Sequence, residues 1–232
     1  MLQIKGFTRN TLLDWDGKIA SIIFLPGCNF RCPYCHASVL VNDGQALPAV
    51  PFEDVQAYIE KNRGWIDGVV ISGGEVTLHA GLPDLIKRLR AFGVAIKLFT
   101  NGSRPGVLRK LIAERQVDAL SMDIKGPLDG RYSKAAGVPV DLDAIRESIG
   151  IVMAAGLPYE FRTTVCPPVL CHDDVVDTAR VIQGAELFVL QQFRPVDCLD
   201  PEFEKIKPYR EGELDGMAEA ARKFVKKCVV QR

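Results

Sequence analysis

Cys28, Cys32 and Cys35 lie in the run Gly27-Cys28-Asn29-Phe30-Arg31-Cys32-Pro33-Tyr34-Cys35-His36, a CxxxCxxC spacing. Thiolates are the standard protein ligands of iron–sulfur clusters. Three of them on one short loop can hold three irons of a four-iron, four-sulfur cluster and leave the fourth iron open to another ligand. The alternative is a structural zinc loop that borrows a distant cysteine. Zinc sites, however, favour a C-x2–4-C pair matched by a second pair downstream, and no fourth ligand follows nearby here. His36, adjacent to Cys35, is poorly placed to reach the open iron of the same cluster, so a supporting or surface role is expected for it.

Four cysteines remain. Cys166 and Cys171 flank Pro167-Pro168, and Cys198 follows a predicted strand; three ligands without a fourth nearby make a weak case for a second metal site. Cys228 fits the apolar face of a predicted helix, and buried free cysteine is common. His79 and His172 have no Ser or Cys partner in a nucleophile motif and are expected at the surface or at helix starts.

The elements that must carry these residues alternate. Short apolar, β-branched runs recur at Ile19–Leu25, Val69–Ser72, Ala95–Thr100, Ala119–Ile124, Tyr159–Val165 and Leu187–Gln192. Runs this short, bounded by Gly, Asn, Asp or Pro, predict buried parallel strands. Between them, Leu82, Leu85, Ile86, Leu89 and Phe92 repeat at helical spacing, as do Leu142, Ile145, Ile149, Val152 and Met153, and then Val175, Val176, Ala179 and Ile182. A last helix is predicted to turn Leu214, Met217, Ala221, Phe224, Val225 and Cys228 inward. Six strand–helix units predict a parallel sheet with right-handed crossovers. A closed eight-unit barrel usually takes about 250 residues, so a partial (β/α)6 barrel in a single domain fits this length better. A doubly wound open sheet is the competing fold. In either, chemistry belongs at the C-terminal ends of the strands.

Polar motifs sit at those ends. The cysteine loop follows the first predicted strand, Ser72-Gly73-Gly74-Glu75 the second and Thr100-Asn101-Gly102 the third. Asp123-Ile124-Lys125 ends the fourth, Arg162-Thr163-Thr164 lies late in the fifth, and Gln191-Gln192-Phe193-Arg194 closes the sixth. Gly73 and Gly74 lack Cβ atoms, so a ligand can approach their backbone closely. Asp123 and Lys125, two apart on one strand, point to the same face, where buried charges persist only when paired or bound to ligand. A strand-end salt bridge is the simpler reading of that pair. No GxxxxGK[ST] or GxGxxG pattern accompanies the glycines.

The 232 residues carry 29 basic and 29 acidic side chains, so bulk charge predicts attraction to neither nucleic acid nor membrane. The apolar run Ile19–Leu25 is too short to cross a bilayer, and the N-terminus lacks a signal-peptide pattern. Seven cysteines in such a chain predict reduced thiols or metal ligands and a cytoplasmic location. An open iron would also suffer in oxygen, which predicts an anaerobic setting.

Together these motifs resemble the radical S-adenosylmethionine (SAM) superfamily. Within it the chain is most similar to the glycyl-radical-enzyme activases, in particular the anaerobic ribonucleotide reductase activating group. The order from Asp14-Trp15-Asp16-Gly17-Lys18-Ile19 through the cysteine motif to Gly-Gly-Glu, Thr-Asn-Gly and Asp-Ile-Lys is the group's. Asp16, Ala37 and Val76 depart from a proline, an asparagine and a proline common there.

The resemblance implies one [4Fe-4S] cluster on Cys28, Cys32 and Cys35, with SAM on the open iron. It implies that Gly73 and Gly74 hold the methionine ammonium through backbone carbonyls with Glu75 nearby, and that Thr100 and Asn101 line the pocket. Tyr34 would flank the adenine, Asp123 and Lys125 would bind the ribose or methionine end, and Arg162 and Arg194 would lie near SAM or the substrate peptide. The implied reaction is reductive cleavage of SAM to a 5′-deoxyadenosyl radical that takes a hydrogen atom from a glycine of a partner glycyl-radical enzyme. A flavodoxin or ferredoxin would supply the electron. Residues 1–18 are expected to be an N-terminal extension packing on the barrel, 19–210 the barrel and 211–232 a C-terminal helix. The rivals are a small-molecule radical SAM enzyme such as a 7-carboxy-7-deazaguanine synthase, an iron–sulfur electron-transfer protein, and a zinc-stabilised binding module.

Overall fold

A computed structural model describes residues 2–44 and 46–232. Its strands are β1 (Gly6–Thr11), β2 (Ala20–Leu25), β3 (Gly68–Gly73), β4 (Ala95–Thr100), β5 (Ala119–Asp123), β6 (Tyr159–Val165), β7 (Phe188–Gln192) and β8 (Cys228–Gln231). The helices are α1 (Ser38–Asn42), α2 (Phe52–Lys61), α3 (Leu82–Arg90), α4 (Pro105–Ala113), α5 (Gly130–Ala136), α6 (Leu142–Met153), α7 (His172–Val181) and α8 (Glu211–Ala221). Short 3-10 turns follow β3 at Val76–Leu78 and β7 at Pro201–Lys205. The strands form one eight-stranded sheet in chain order. A doubly wound sheet must reverse its strand order partway, and this one does not. The α/β fold with parallel strands expected of a partial barrel is therefore the one observed.

Contacts group the chain into two compact units that interleave along the sequence. One comprises the residues up to Asn29, Val39–Thr100 and Gly106–Leu120; the other comprises Phe30–Ser38, Asn101–Pro105 and Ser121–Arg232.

In the first unit β2 pairs parallel with β3, and β3 with β4. Val69, Val70, Ile71, Ile96 and Leu98 are fully buried, as β-branched and aliphatic residues of a sheet covered on both faces should be. On α3, Leu82, Leu85, Ile86 and Leu89 all turn inward, each burial stabilising by about 1.5–3 kcal/mol. The N-terminal segment is no mere extension: β1 pairs antiparallel with β2, and its register shifts between Thr8 and Thr11. Trp15 joins Ala20, Ile22, Val70 and Ala119 in a buried cluster. Beside it the buried Lys97 donates to the Asp14 carbonyl at 2.7 Å.

In the second unit β6 pairs parallel with β7, and β7 with β8. The C-terminal segment corrects the expected helix over 211–232. The helix stops at Ala221, and Phe224, Val225 and Cys228 lie beyond it. Cys228–Gln231 instead pairs along the remaining edge of β7, where Val229 and Val230 suit a strand better than a helix. No helix among the described residues is long and apolar enough to cross a membrane.

Candidate functional site

In the first unit, the segment after β3 grips the approach to Cys28. Gly74 donates its amide to the Leu25 carbonyl at 2.9 Å, and Glu75 donates to the Gly27 carbonyl at 2.9 Å. His79 Nε2 meets the Pro26 carbonyl between them at 2.9 Å. This closeness is why two glycines stand here. A Cβ on Gly73 would lie 2.2 Å from the Leu25 oxygen, and one on Gly74 would lie 1.8 Å from the Gly27 oxygen. Gly73 also adopts φ +122°, which side chains rarely tolerate. The glycines are demanded by the cysteine loop's own backbone as well as by any ligand.

Glu75 is buried and begins the 3-10 turn. Its Oε1 accepts from the Thr77 amide at 3.0 Å, from the Thr77 hydroxyl, and from the Thr100 hydroxyl at 2.8 Å. Three donors fix this carboxylate in one orientation. Thr100 thus acts on Glu75, a use that its position at the end of β4 did not reveal. Thr77 and His79 were missed as candidates. Their only sequence signal is spacing, two and four residues after a glutamate that caps a turn, and a lone histidine reads as surface. His79 is instead part-buried and bonded.

In the second unit, Cys32 and Tyr34 are buried and Cys35 is half-buried. Arg31 donates its amide to the Ala136 carbonyl at 2.8 Å, and Asp200 donates to the Pro33 carbonyl at 2.9 Å. His36 is exposed; its Nε2 donates to the Arg194 carbonyl at 2.7 Å and its ring stacks near Phe193. Arg194 contributes that backbone carbonyl while its side chain is exposed.

Lys125 donates to Asp123 at 2.9 Å, as two residues on one strand face can. Burial works against its charge, but Asp123, Cys32 and Tyr34 together hold the ammonium well above the ordinary lysine range. Burial first, then Cys32, pushes the Tyr34 hydroxyl well up, with Lys125 pulling the other way. The buried Tyr34 hydroxyl finds no hydrogen-bond partner among the described residues, while the buried Tyr132 hydroxyl lies against the Lys125 backbone. The loop after Lys125 is anchored at its far end. Arg131 pairs with Asp129 at 2.6 Å, Asp174 at 2.7 Å and Asp177 at 3.1 Å, and Asp174 also accepts from the Cys171 amide at 2.8 Å.

Asn101 is a turn former, its side-chain oxygen accepting from the Ser103 amide at 2.9 Å. Arg162 lies in a buried polar row: Ser121 donates to Glu160 at 2.9 Å, Arg162 Nη1 is 3.9 Å from that carboxylate, and its Nη2 is 3.4 Å from Gln231 of β8. His172 starts α7 and is exposed, as expected.

None of the cysteines is in a disulfide. Burial, followed by nearby Cys198, pushes the Cys166 thiol up to about 12, which suits an inert thiol. Among the described residues no three His, Cys, Asp or Glu side chains converge as a single-ion site requires. The groups present suit a cluster with a polar co-ligand. The donor set is three thiols on one loop, and in the second unit the buried Tyr34 hydroxyl, without a partner among the described residues, stands near the part-exposed Asp123–Lys125 pair.

The chain is similar to several known proteins. A protein of Methanocaldococcus jannaschii, provisionally named a glycyl-radical enzyme activating enzyme, is 29% identical over 236 residues, covering 98% of this chain and 95% of its own. A protein of Thermococcus kodakarensis, provisionally named a GTP 3′,8-cyclase, is 25% identical over 194 residues; the match covers 79% of this chain and 61% of that one. Among solved structures, Streptococcus suis SuiB bound to the precursor peptide SuiA superposes with a TM-score of 0.69 at 14% identity, over 91% of this chain and 48% of that one. At that identity the likeness is one of fold. The family model of the Radical SAM superfamily matches residues 22–182, from β2 to the end of α7. The chain belongs to the Radical SAM superfamily.

Proposed function

We propose that this radical SAM enzyme is a glycyl-radical-enzyme activase, taking a hydrogen atom from a backbone glycine of a partner protein. The observation that carries this reading is the match to the Methanocaldococcus jannaschii protein, which runs nearly end to end in both chains. The similarity to the provisionally named GTP 3′,8-cyclase spans 61% of that relative, leaving more than a third of it without a counterpart in the match.

In this reading Cys28, Cys32 and Cys35 hold a [4Fe-4S] cluster, and SAM is the co-ligand. When bound, the two supply a strong hydrogen-atom abstractor through one-electron cleavage of the S–C5′ bond. The chain's residues orient and shield. The carbonyls of Gly73 and Gly74 face the methionine ammonium, and Glu75, fixed by Thr77 and Thr100, adds negative charge. Asp123 and Lys125 hold polar groups of the methionine or ribose, Asn101 shapes the pocket wall, and Tyr34 packs beside the adenine. The burial of Cys32 and Tyr34 excludes water from the reacting groups. Arg162 and Arg194 serve the peptide side. A flavodoxin or ferredoxin in an anaerobic cytoplasm is the electron donor, and anaerobic ribonucleotide reductase is the proposed partner.

The test is isotopic. A partner peptide whose glycine carries α-deuterium should pass deuterium into 5′-deoxyadenosine, and an organic radical should appear on the partner by electron paramagnetic resonance. Arg194→Ala should slow this transfer several-fold while leaving uncoupled SAM cleavage near wild type. Deuterium arriving only from a small metabolite, with no partner radical, would transfer the assignment to a small-molecule radical SAM enzyme.

A further inference from the structure

We infer that His79 is a positioning residue for Cys28, acting through the Pro26 carbonyl. The inference rests on the reading that Cys28 is a cluster ligand. Three consecutive carbonyls lead into that cysteine, and each is held by the segment that follows β3. Leu25 is held by the Gly74 amide and Gly27 by the Glu75 amide, both at 2.9 Å, and the middle one, Pro26, by His79 Nε2 at 2.9 Å. Two of the three clamps are backbone and cannot be lost by changing a side chain. The third depends on one imidazole. Because a carbonyl only accepts, Nε2 carries the proton in this bond.

The ring is mounted on a rigid base. The His79 amide donates to Val76 at 3.3 Å within the 3-10 turn, and its carbonyl accepts from Leu82 at 3.0 Å, the first residue of α3. That helix is locked into the core by Leu82, Leu85, Ile86 and Leu89. The ring borders a cavity of about 460 Å³ lined by Leu2, Ala80, Gly81, Asp84 and Arg88, so it is reached from solvent as well. His79 therefore links a well-packed helix to the peptide unit two residues before Cys28. Groups that orient metal ligands in this way typically alter metal retention by 10–100-fold when removed.

The experiment compares the reconstituted wild type with His79→Ala, His79→Leu and His79→Gln. Readouts are iron per chain, the rate of iron loss to a chelator, the cluster's electron paramagnetic resonance signal after reduction, and the melting temperature of the cluster-free protein. Gln brings an amide N–H to about the place of Nε2; Ala and Leu bring no donor. The expected result is iron loss about tenfold faster in the Ala and Leu variants, with an altered resonance signal, retention restored in Gln, and cluster-free melting temperatures alike. Iron loss at the wild-type rate in Ala or Leu overturns the inference, and so does a Gln variant no better than Leu. If Ala fails to fold, the Gln–Leu contrast decides alone. A wild type that takes up no cluster sinks the underlying reading instead, so the two failures are distinguishable.

Discussion

The two units provide for their candidate residues in opposite ways. In the first, the groups around Cys28 and Glu75 are answered by the protein itself: the Leu25, Pro26 and Gly27 carbonyls each have a donor, and Glu75 Oε1 has three. In the second, Lys125 pairs with a partly exposed Asp123 while the buried Tyr34 hydroxyl goes unanswered among the described residues. A buried polar group without a partner costs about 1–3 kcal/mol. The difference separates a scaffold finished by folding from a surface that a polar ligand would complete. Damage to the contacts around Leu25–Gly27 and Glu75 should register as lost stability or lost metal retention, and damage to the Asp123–Lys125 pair as lost ligand affinity.

The severest test removes thiols. Reconstituted wild type should hold about four irons per chain, and Cys28→Ala, Cys32→Ala or Cys35→Ala should each abolish stable iron binding. Changing Cys166, Cys171 or Cys198 to Ala should leave iron content unchanged; if one proves as necessary as the loop cysteines, the single-cluster assignment is wrong. Next is Gly74→Ala, whose Cβ would meet the Gly27 oxygen at 1.8 Å. Overpacking of this kind costs about 2–3 kcal/mol, or roughly 5–10 °C in melting temperature for a chain of this size. An unshifted melting curve would mean that the grip on the cysteine loop is slack.

Lys125→Ala should weaken SAM binding about tenfold, the scale of one charge-assisted hydrogen bond, with iron content intact in an equilibrium titration. Iron loss in a folded variant would blur the contrast between the units. The smallest effect concerns Asp174, held below its ordinary 3.8: its own burial opposes this, but the Cys171 amide and Arg131 prevail. A depressed carboxylate stabilises the fold above its ordinary pKa and loses that contribution as pH falls through the folded value. Asp174→Asn should therefore cost about 1 kcal/mol at neutral pH and converge on wild type once pH falls below the depressed folded value. A gap in denaturant midpoint that persists in acid would point to lost packing instead of lost charge.

Much of this organisation was legible in the residues. Ala95–Thr100 and Tyr159–Val165 are strands with the predicted bounds, because short apolar runs between Gly, Pro and Asn have few other uses in a packed core. β1 escaped notice because its exposed Thr8, Arg9 and Asn10 give an edge strand no apolar signature. β8 was absorbed into a helix because Phe224, Val225 and Cys228 happen to fall at helical spacing; only the open side of β7 makes a strand of Cys228–Gln231. The site divides similarly. The thiols, the glycines and the Asp123–Lys125 pair announce themselves by type and spacing. Thr77 does not, because its role depends on how the Glu75 side chain folds back on the turn; nor does His79, since what recruits it is the carbonyl of Pro26, far earlier in sequence and reachable only once β2 and β3 lie side by side.

The edge position of β1 has a consequence for how the molecule opens. Its one ladder is to β2, broken by a register shift, and its middle residues face solvent. β3 is hydrogen-bonded on both sides and fully buried from Gly68 to Ile71. Amide protons of β1 should thus be traded for solvent deuterons by local fraying, while those of β3 wait for near-global unfolding. The strand beside β2 can then peel and re-anneal many times in the life of one molecule without releasing the β2–β3 pair that carries the cysteine loop.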